Sequence, residues 1–308
     1  MARQALRFTK EVTPGTYPPS PAAGTFTNLR MTTPVTDQPK PIMWLIRDAS
    51  GTNRRIQTGS AQNVTHVQIT TPLYFSQALL LLTPFCTPIA PGATSRGLTS
   101  FTLDKFLTLD HSATKAYTRL LGCAPQKLVL NATNSGQGIL LTAAMTWIAS
   151  DWNHTITSTD FADPALNAYP QDSPANLTQM VGLVTINGVA ASGFKSFSLT
   201  VDNTIDEVYD ELHNPIPMNY GGRDVDWMLD LGYAANTFRN NYEAVVAGTT
   251  SFSLTDGTTT LLWNLEAVNY ISGLDDELPL DKKFYQKISG GAHLDVAAGT
   301  DMAYSVTP

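Results

Sequence analysis

Alternation of apolar and polar side chains, two residues apart, runs through most of the chain beyond residue 40 and predicts strands. Residues 43–47 read as a short apolar strand followed by the turn Asp48-Ala-Ser-Gly-Thr-Asn. Residues 56–70 read as extended, with Gly59 marking a bend or bulge. Phe101, Leu103, Leu107 and Leu109 share one face, and Thr102, Asp104, Thr108 and Asp110 the other, with a break at Lys105 and Phe106. Residues 127–133 and 139–150 predict a hairpin through Asn134-Ser-Gly-Gln-Gly, whose second strand buries Ile139, Leu141, Ala143, Met145 and Trp147. Further on, Phe197, Leu199 and Val201 alternate with Ser196, Ser198 and Thr200, and Val225, Trp227, Leu229, Leu231 and Tyr233 alternate with Asp224, Asp226, Met228, Asp230 and Gly232. A hairpin is expected through Thr255-Asp-Gly-Thr, and final strands near 285–296 and 303–306.

Helical spacing is rarer. Residues 73–83 predict an almost wholly apolar helix, with Pro72 tolerated in its first turn and Pro84 ending it. Residues 236–247 predict an amphipathic helix, capped by Asn236 or Thr237 and followed by Gly248. Residues 1–40, punctuated by Pro14, Pro18, Pro19, Pro21, Pro34 and Pro39, read as an extended arm that orders only against something else. Residues 151–180 lose periodicity and read as a long loop or linker.

The two halves share an order: a glycine-containing extended strand, a helix, then a Ser-Phe-Ser/Thr-Leu strand leading to a hairpin. In the first half these are Gly59, residues 73–83 and Ser100-Phe-Thr-Leu; in the second, Gly221-Gly222, residues 236–247 and Ser251-Phe-Ser-Leu-Thr. A duplication would make the protein mainly β, with two tandem β-sandwich units each flanked by a helix. The expected limits are 1–40 for the arm, 41–155 for the first sandwich, 156–193 for the linker and 194–308 for the second sandwich. The competing reading is one larger irregular β-domain with two incidental helices.

Composition narrows the possible roles. Of 308 residues, 43% are hydrophobic, so a core is expected, but only 15% are charged, below the usual ~25%. Low surface charge suits a protein that covers much of its surface with copies of itself. The net charge of −7 and the lack of a basic stretch exclude a large phosphate-gripping footprint. Cys86 and Cys123 lack metal-ligand spacing and read as reduced, buried thiols. No signal-peptide pattern opens the chain and no apolar run is long enough to span a bilayer, so no membrane partner is expected and the sequons at Asn63, Asn131, Asn153 and Asn176 carry no weight.

Read together, three segments resemble the major tail tube proteins of long-tailed, siphovirus-like bacteriophages. The first is Asn53-Arg-Arg-Ile-Gln-Thr-Gly-Ser, with the alternating strand after it and then Thr71-Pro-Leu-Tyr-Phe-Ser-Gln-Ala-Leu-Leu-Leu-Leu. The second is Leu98-Thr-Ser-Phe-Thr-Leu-Asp, leading to Tyr117 and Gly122-Cys-Ala-Pro-Gln-Lys-Leu-Val-Leu. The third is Phe197-Ser-Leu-Thr-Val-Asp-Asn. The resemblance covers about residues 40–150 and 194–300, and the order of the segments carries it rather than any single motif.

The resemblance implies β-sandwich subunits whose sheets join side by side around a lumen, in stacked rings that conduct DNA during ejection. Family rings usually have six domains, so a duplicated chain implies a trimeric, pseudo-sixfold ring, with a hexamer as the alternative. Implied partners are copies of the chain, the tape measure, terminator and distal tail proteins, and DNA in transit without specific binding. The implied location is the virion tail, after assembly in the host cytoplasm. An acidic lining would keep DNA off the wall, and Asp224, Asp226 and Asp230 are the candidates for it. The clusters Asp202, Asp206, Glu207, Asp210, Glu211 and Asp275, Asp276, Glu277 are weaker ones, and a solvated outer face is the ordinary reading of all three groups.

No catalytic, cofactor-binding or metal-binding residue is assigned. The sequence lacks a nucleophile elbow, and His66, His111, His154, His213 and His293 stand apart without ligand spacing. The Asp202–Glu211 stretch lacks the calcium-loop pattern. Two other readings remain: a β-rich capsid decoration or tail terminator protein, and a phage carbohydrate-binding or carbohydrate-cleaving protein, since paired carboxylates are set by space rather than by sequence.

Overall fold

A computed structural model describes residues 3–12, 15, 27–29, 36–40, 43–47, 55–60, 64–86, 100–108, 115–134, 139–153, 181–186, 189–191, 194–209, 215–232, 248–255, 257–272, 285–293 and 301–307. In chain order the elements are β1 (Arg3–Lys10), β2 (Thr27–Leu29), β3 (Thr36–Lys40), β4 (Met43–Arg47), β5 (Arg55–Ser60), β6 (Val64–Pro72), α1 (Phe75–Cys86), β7 (Phe101–Thr108), β8 (Lys115–Asn134), β9 (Ile139–Ala149) and β10 (Asp151–Asn153). The second half contributes β11 (Val181–Ile186), β12 (Val189–Ala191), β13 (Phe194–Tyr209), β14 (Pro215–Gly232), β15 (Gly248–Thr255), β16 (Thr260–Ser272), β17 (Tyr285–Ala292) and β18 (Met302–Thr307).

The protein is mainly β, and its strands pack as a sandwich. One layer is a large sheet in the order β3-β6-β9-β8-β13-β14-β17-β16. Two smaller sheets cover it, β2-β1-β7-β8-β10 and β12-β11-β15-β16-β18. β8 and β16 belong to both layers, each changing sheets partway along. In β8 the change falls between Cys123 and Ala124, just after Gly122, which has a φ of 63°. A Cβ there would lie 1.9 Å from Ser150 Oγ, so glycine is required for space as well as for backbone conformation.

Among the described residues, one large apolar cluster runs through both halves, with a small second one formed by Ala124, Ile148 and Ile205. In the first half Phe85 of α1 meets Trp147 of β9 edge-on at 4.7 Å, and Trp147 meets Phe101 of β7 at 5.2 Å across the layers. In the second, Phe197 of β13 stacks on Phe252 of β15 at 3.9 Å. These contacts are the inward halves of the period-two patterns read from sequence, and the hairpin at Thr255 is present, with Gly257 at a φ of 91°.

The duplication is visible in the strand pairing. β1–β2, β1–β7, β7–β8, β8–β9, β8–β10 and β6–β9 are matched by β11–β12, β11–β15, β15–β16, β16–β17, β16–β18 and β14–β17, all antiparallel. The long hairpin β13–β14 is represented in the first half by β3–β6 and β4–β5. Ser100-Phe-Thr-Leu and Ser251-Phe-Ser-Leu fall on the equivalent strands β7 and β15, so that echo is structural. Ser196-Phe-Ser-Leu-Thr lies on β13, the counterpart of β3, and is a coincidence of composition.

Four expectations need correction. Residues 1–40 are not solely an arm: β1 pairs with β7 along eight positions, and Leu6 and Phe8 are fully buried in the core. The apolar alternation of Leu6 and Phe8 outweighs the prolines that follow them. The linker 156–193 contains β11 and β12, so the second sheet system begins at Val181. Pro84 does not end α1, which runs to Cys86, because Phe85 and Cys86 are drawn into the core. Pro72 closes β6 rather than opening the helix. The predicted helix 236–247 lies outside the described residues.

The polar face of β7 is also covered. Asp104 is 0% exposed and takes hydrogen bonds from Arg7 Nε and Nη2 at 3.0 and 2.8 Å and from Arg119 Nε and Nη2 at 2.7 and 3.0 Å. The buried Glu11 carboxylate accepts from Ser100 Oγ, Thr102 Oγ1 and the Gly122 and Gly15 amides at 2.7–2.9 Å. Each charge is compensated by several donors, which burial requires.

Phe8 separates a core strand from a docking arm. Phe8→Ala is expected to destabilise the isolated chain by ~3–5 kcal/mol in denaturant titration; a change near zero would return the segment to a peripheral role.

Candidate assembly seam and channel face

The two halves meet along β8 and β13. Seven consecutive antiparallel pairs run from Lys127↔Asp202 to Thr133↔Ser196, which makes the large sheet continuous across the repeat. Both strands carry an irregularity at the end of this run, β8 between Pro125 and Lys127 and β13 between Asn203 and Ile205. The buried Asn203 Nδ2 donates to the Pro125 carbonyl at 3.1 Å, closing the end of the seam where the ladder breaks. Lys127 Nζ lies 3.1 Å from Asp202 Oδ2, a half-exposed pair worth little by itself.

Behind the seam, Arg223 joins the halves a second time. Its Nη1 donates to the Cys86 carbonyl at the end of α1 at 2.9 Å, and its Nε and Nη2 pair with both carboxylate oxygens of Asp301, just before β18. The orphan carbonyl at a helix C-terminus is a natural acceptor for such a cation. Burial lowers the Arg223 pKa from its usual value.

The two faces of the large sheet differ sharply. Leu128, Leu130, Ala132, Leu199, Val201, Val225, Trp227 and Leu229 point into the core. The opposite face presents cross-strand rows: Lys127, Asp202 and Asp224; Val129, Thr200 and Asp226; Asn131, Ser198 and Met228; Thr133, Ser196 and Asp230. This face is rich in Ser and Thr. Asp224 and Asp226 are exposed on it, as sequence alternation implied. Asp230 differs: it is 7% exposed and its Oδ2 lies 3.0 Å from Lys195 Nζ. It shares the strand face of the other two but not their free negative charge. The seam, the Arg223 clamp and the Lys195 pairing were not foreseen. They join residues from different parts of the chain, as far apart as the 137 positions between Cys86 and Arg223, or sit at a bulge, and alternation has no signal for either.

Among the described residues, no group of three or more His, Cys, Asp or Glu side chains is arranged to hold a metal ion. His66 lies on β6 and His293 follows β17; the other three histidines lie outside the described residues. Among those residues, too, no helix is long and apolar enough to cross a membrane. Cys86 and Cys123 are both free and buried.

A sandwich whose larger sheet runs without interruption from one repeat into the next is a β-protein organised around strand-to-strand continuation. A family model for phage tail tube proteins matches residues 1–299, and the chain belongs to that family. It is a structural protein of the phage tail, located in the virion tail, and membership implies self-assembly and contact with other tail proteins. Among solved structures, it is similar to the tube-terminating cap of the anti-feeding prophage, at 19% identity and a TM-score of 0.35 over 50% of this chain and 99% of that one. No curated protein sequence matches the chain.

The buried thiols give this region an alkaline limit. Burial pushes Cys86 up to about 12 from 9.0, with Arg223 pulling slightly the other way, and pushes Cys123 up as well. The unfolded chain therefore loses these protons first as pH rises. Stability is full below pH 9 and falls as pH rises from 9 toward 12. Denaturation midpoints measured from pH 8 to 11 should fall, with a shallower fall in Cys86→Ala, and neither thiol should react with a disulfide reagent before unfolding.

Proposed function

We propose that three copies of this chain close into a pseudo-sixfold ring, that the rings stack into the tail tube, and that DNA passes along the Ser- and Thr-rich face of the large sheet during ejection. Each chain then supplies two sandwich units, the first ending near residue 153 and the second beginning near residue 181. The observation that carries this reading is the duplicated strand pairing, with β8 and β13 hydrogen-bonded across the repeat. An internal seam of this kind is what a neighbouring-subunit seam becomes when two units share one chain, and covalent linkage raises the effective concentration of the partner edge. The role is structural, with no catalytic step and no cofactor. A reconstruction of the assembled tube tests it: three chains per ring are expected, and six would overturn the trimer.

The channel lining is a separate proposal. Asp224 and Asp226 repel DNA from the wall within the ~8 Å screening distance of physiological salt, whereas Asp230 is neutralised by Lys195. Converting Asp224 and Asp226 to Lys should leave tubes intact in electron micrographs and slow triggered DNA release, because a basic wall holds phosphates. Release at the normal rate from such tubes would remove these residues from the channel. Asp230→Asn should act on stability and leave release unchanged.

A further inference from the structure

The β13–β14 hairpin is longer than the sheet that carries it. Among the described residues, β13 pairs with β8 only as far as Asp202, and β14 pairs with β17 only from Val225. Beyond those positions, again among the described residues, 205–209 and 215–219 pair only with each other, as a two-stranded ribbon.

The ribbon joins the sheet through a break in the ladder. Between Asn203↔Arg223 and Ile205↔Asn219 the outgoing strand has one residue, Thr204, and the returning strand has three, Tyr220, Gly221 and Gly222. Extra residues on one strand interrupt the ladder and bend the hairpin. Gly222 lies tightly against Thr204: a Cβ on it would stand 2.7 Å from Thr204 Oγ1 and 3.1 Å from Thr204 Cβ. The first half breaks its hairpin at the same level. Val64 corresponds to Asp224 there, because Thr65 faces Ala149 as Val225 faces Ala292. After Lys40↔Val64 the next pair is Met43↔Ser60, so the returning side again holds more residues than the outgoing one. A bulge kept in both copies is a feature of the repeat.

The two sides of the break are held differently. On the sheet side, Asn203 Nδ2 donates to the Pro125 carbonyl, and Arg223 donates to the Cys86 carbonyl and to Asp301. On the ribbon side, Ile205 is 7% exposed and packs with Ala124 and Ile148 in a cluster of three, separate from the main core. Ile148 alternates with the inward Trp147 and Ala149, so this cluster lies on the polar face of the large sheet.

We infer that the hairpin is a jointed lever: the ribbon turns about Thr204 and residues 220–222 while Asn203 and Arg223 stay fixed, and Ile205 latches it in the free chain. A second copy of the chain, stacked on this end of the sandwich, takes hold of the ribbon and releases the latch. The inference rests on the proposed stacking of rings and adds a moving part to it. Releasing Ile205 leaves the main core and the seam intact, so the two orientations differ by few contacts and a partner can shift the balance between them.

The test places spin labels on the full chain through Asn131→Cys, on the exposed side of β8, and Glu207→Cys, on the ribbon. The native thiols are buried and stay unlabelled. The distance between labels is measured by pulsed electron spin resonance in the free chain and in tubes where labelled chains are diluted with unlabelled ones. One distance is expected in the free chain and a different one in tubes. Adding Ile205→Ala should bring the tube distance into the free chain. Should this label pair block assembly, Thr133→Cys and Tyr209→Cys carry the labels instead. The same distance in free chain and tubes would overturn the lever and leave the stacked rings in place. A changed distance that ignores Ile205→Ala would overturn the latch. Tubes not built of stacked rings would overturn the proposed function, and the lever with it.

Discussion

Main-chain hydrogen bonding along β8 and β13 is the constraint on which the remaining architecture depends. A strand buried on one face must find partners for its amides and carbonyls, and β8 pairs with four neighbours along its twenty residues. It pairs with β7 and β10 in the covering layer and with β9 and β13 in the large sheet. Moving it by one residue would reverse the direction of each side chain beyond the shift. Leu128, Leu130 and Ala132 would leave the core together. The glycine at 122 and the bulge at Pro125 hold that register, and the Asn203 hydrogen bond anchors it to the second half.

Packing across the layers follows from the same register. Phe101 and Phe252 occupy equivalent strands and each joins the two layers, but through different partners. Phe101 meets Trp147 edge-on, whereas Phe252 stacks on Phe197. The repeated backbone has kept its hydrogen-bond plan while its core has been refilled with side chains of other shapes. This is the expected order of tolerance, because interiors accept volume-conserving exchange more readily than a change of ladder.

Much of the strand content was legible because half-buried strands write their two faces into the sequence. The Val225–Trp227–Leu229 and Ile139–Trp147 patterns translate directly into buried faces. The limits of elements were less legible. Pro84 normally ends a helix, but here the pull of Phe85 into the core is stronger. The prolines after residue 12 concealed the short alternating run around Leu6 and Phe8. Buried charge was the least legible feature. Asp104 looks like an ordinary solvent-facing residue of an alternating strand, and its two arginines come from strands on either side of it, 97 and 15 positions away. Asp224 and Asp226 behaved as alternation implies, while Asp230, six positions along the same strand, met a lysine at a bulge on the neighbouring strand.

The mismatch between the two halves has a geometric consequence of its own. The hairpin β13–β14 is one pair of strands with a bulge between Asn203 and Ile205, whereas its counterpart is divided between β3–β6 and the separate ribbon β4–β5. Asp226 on β14 corresponds to His66 on β6, so equivalent points on the two units carry different side chains. In the proposed ring, six similar scaffolds would alternate in surface chemistry around the axis. The ring would look sixfold to a partner that reads only backbone shape and threefold to one that reads side chains. A trimeric collar set on its end would thus have two inequivalent rotational settings, sixty degrees apart, and could tell them apart.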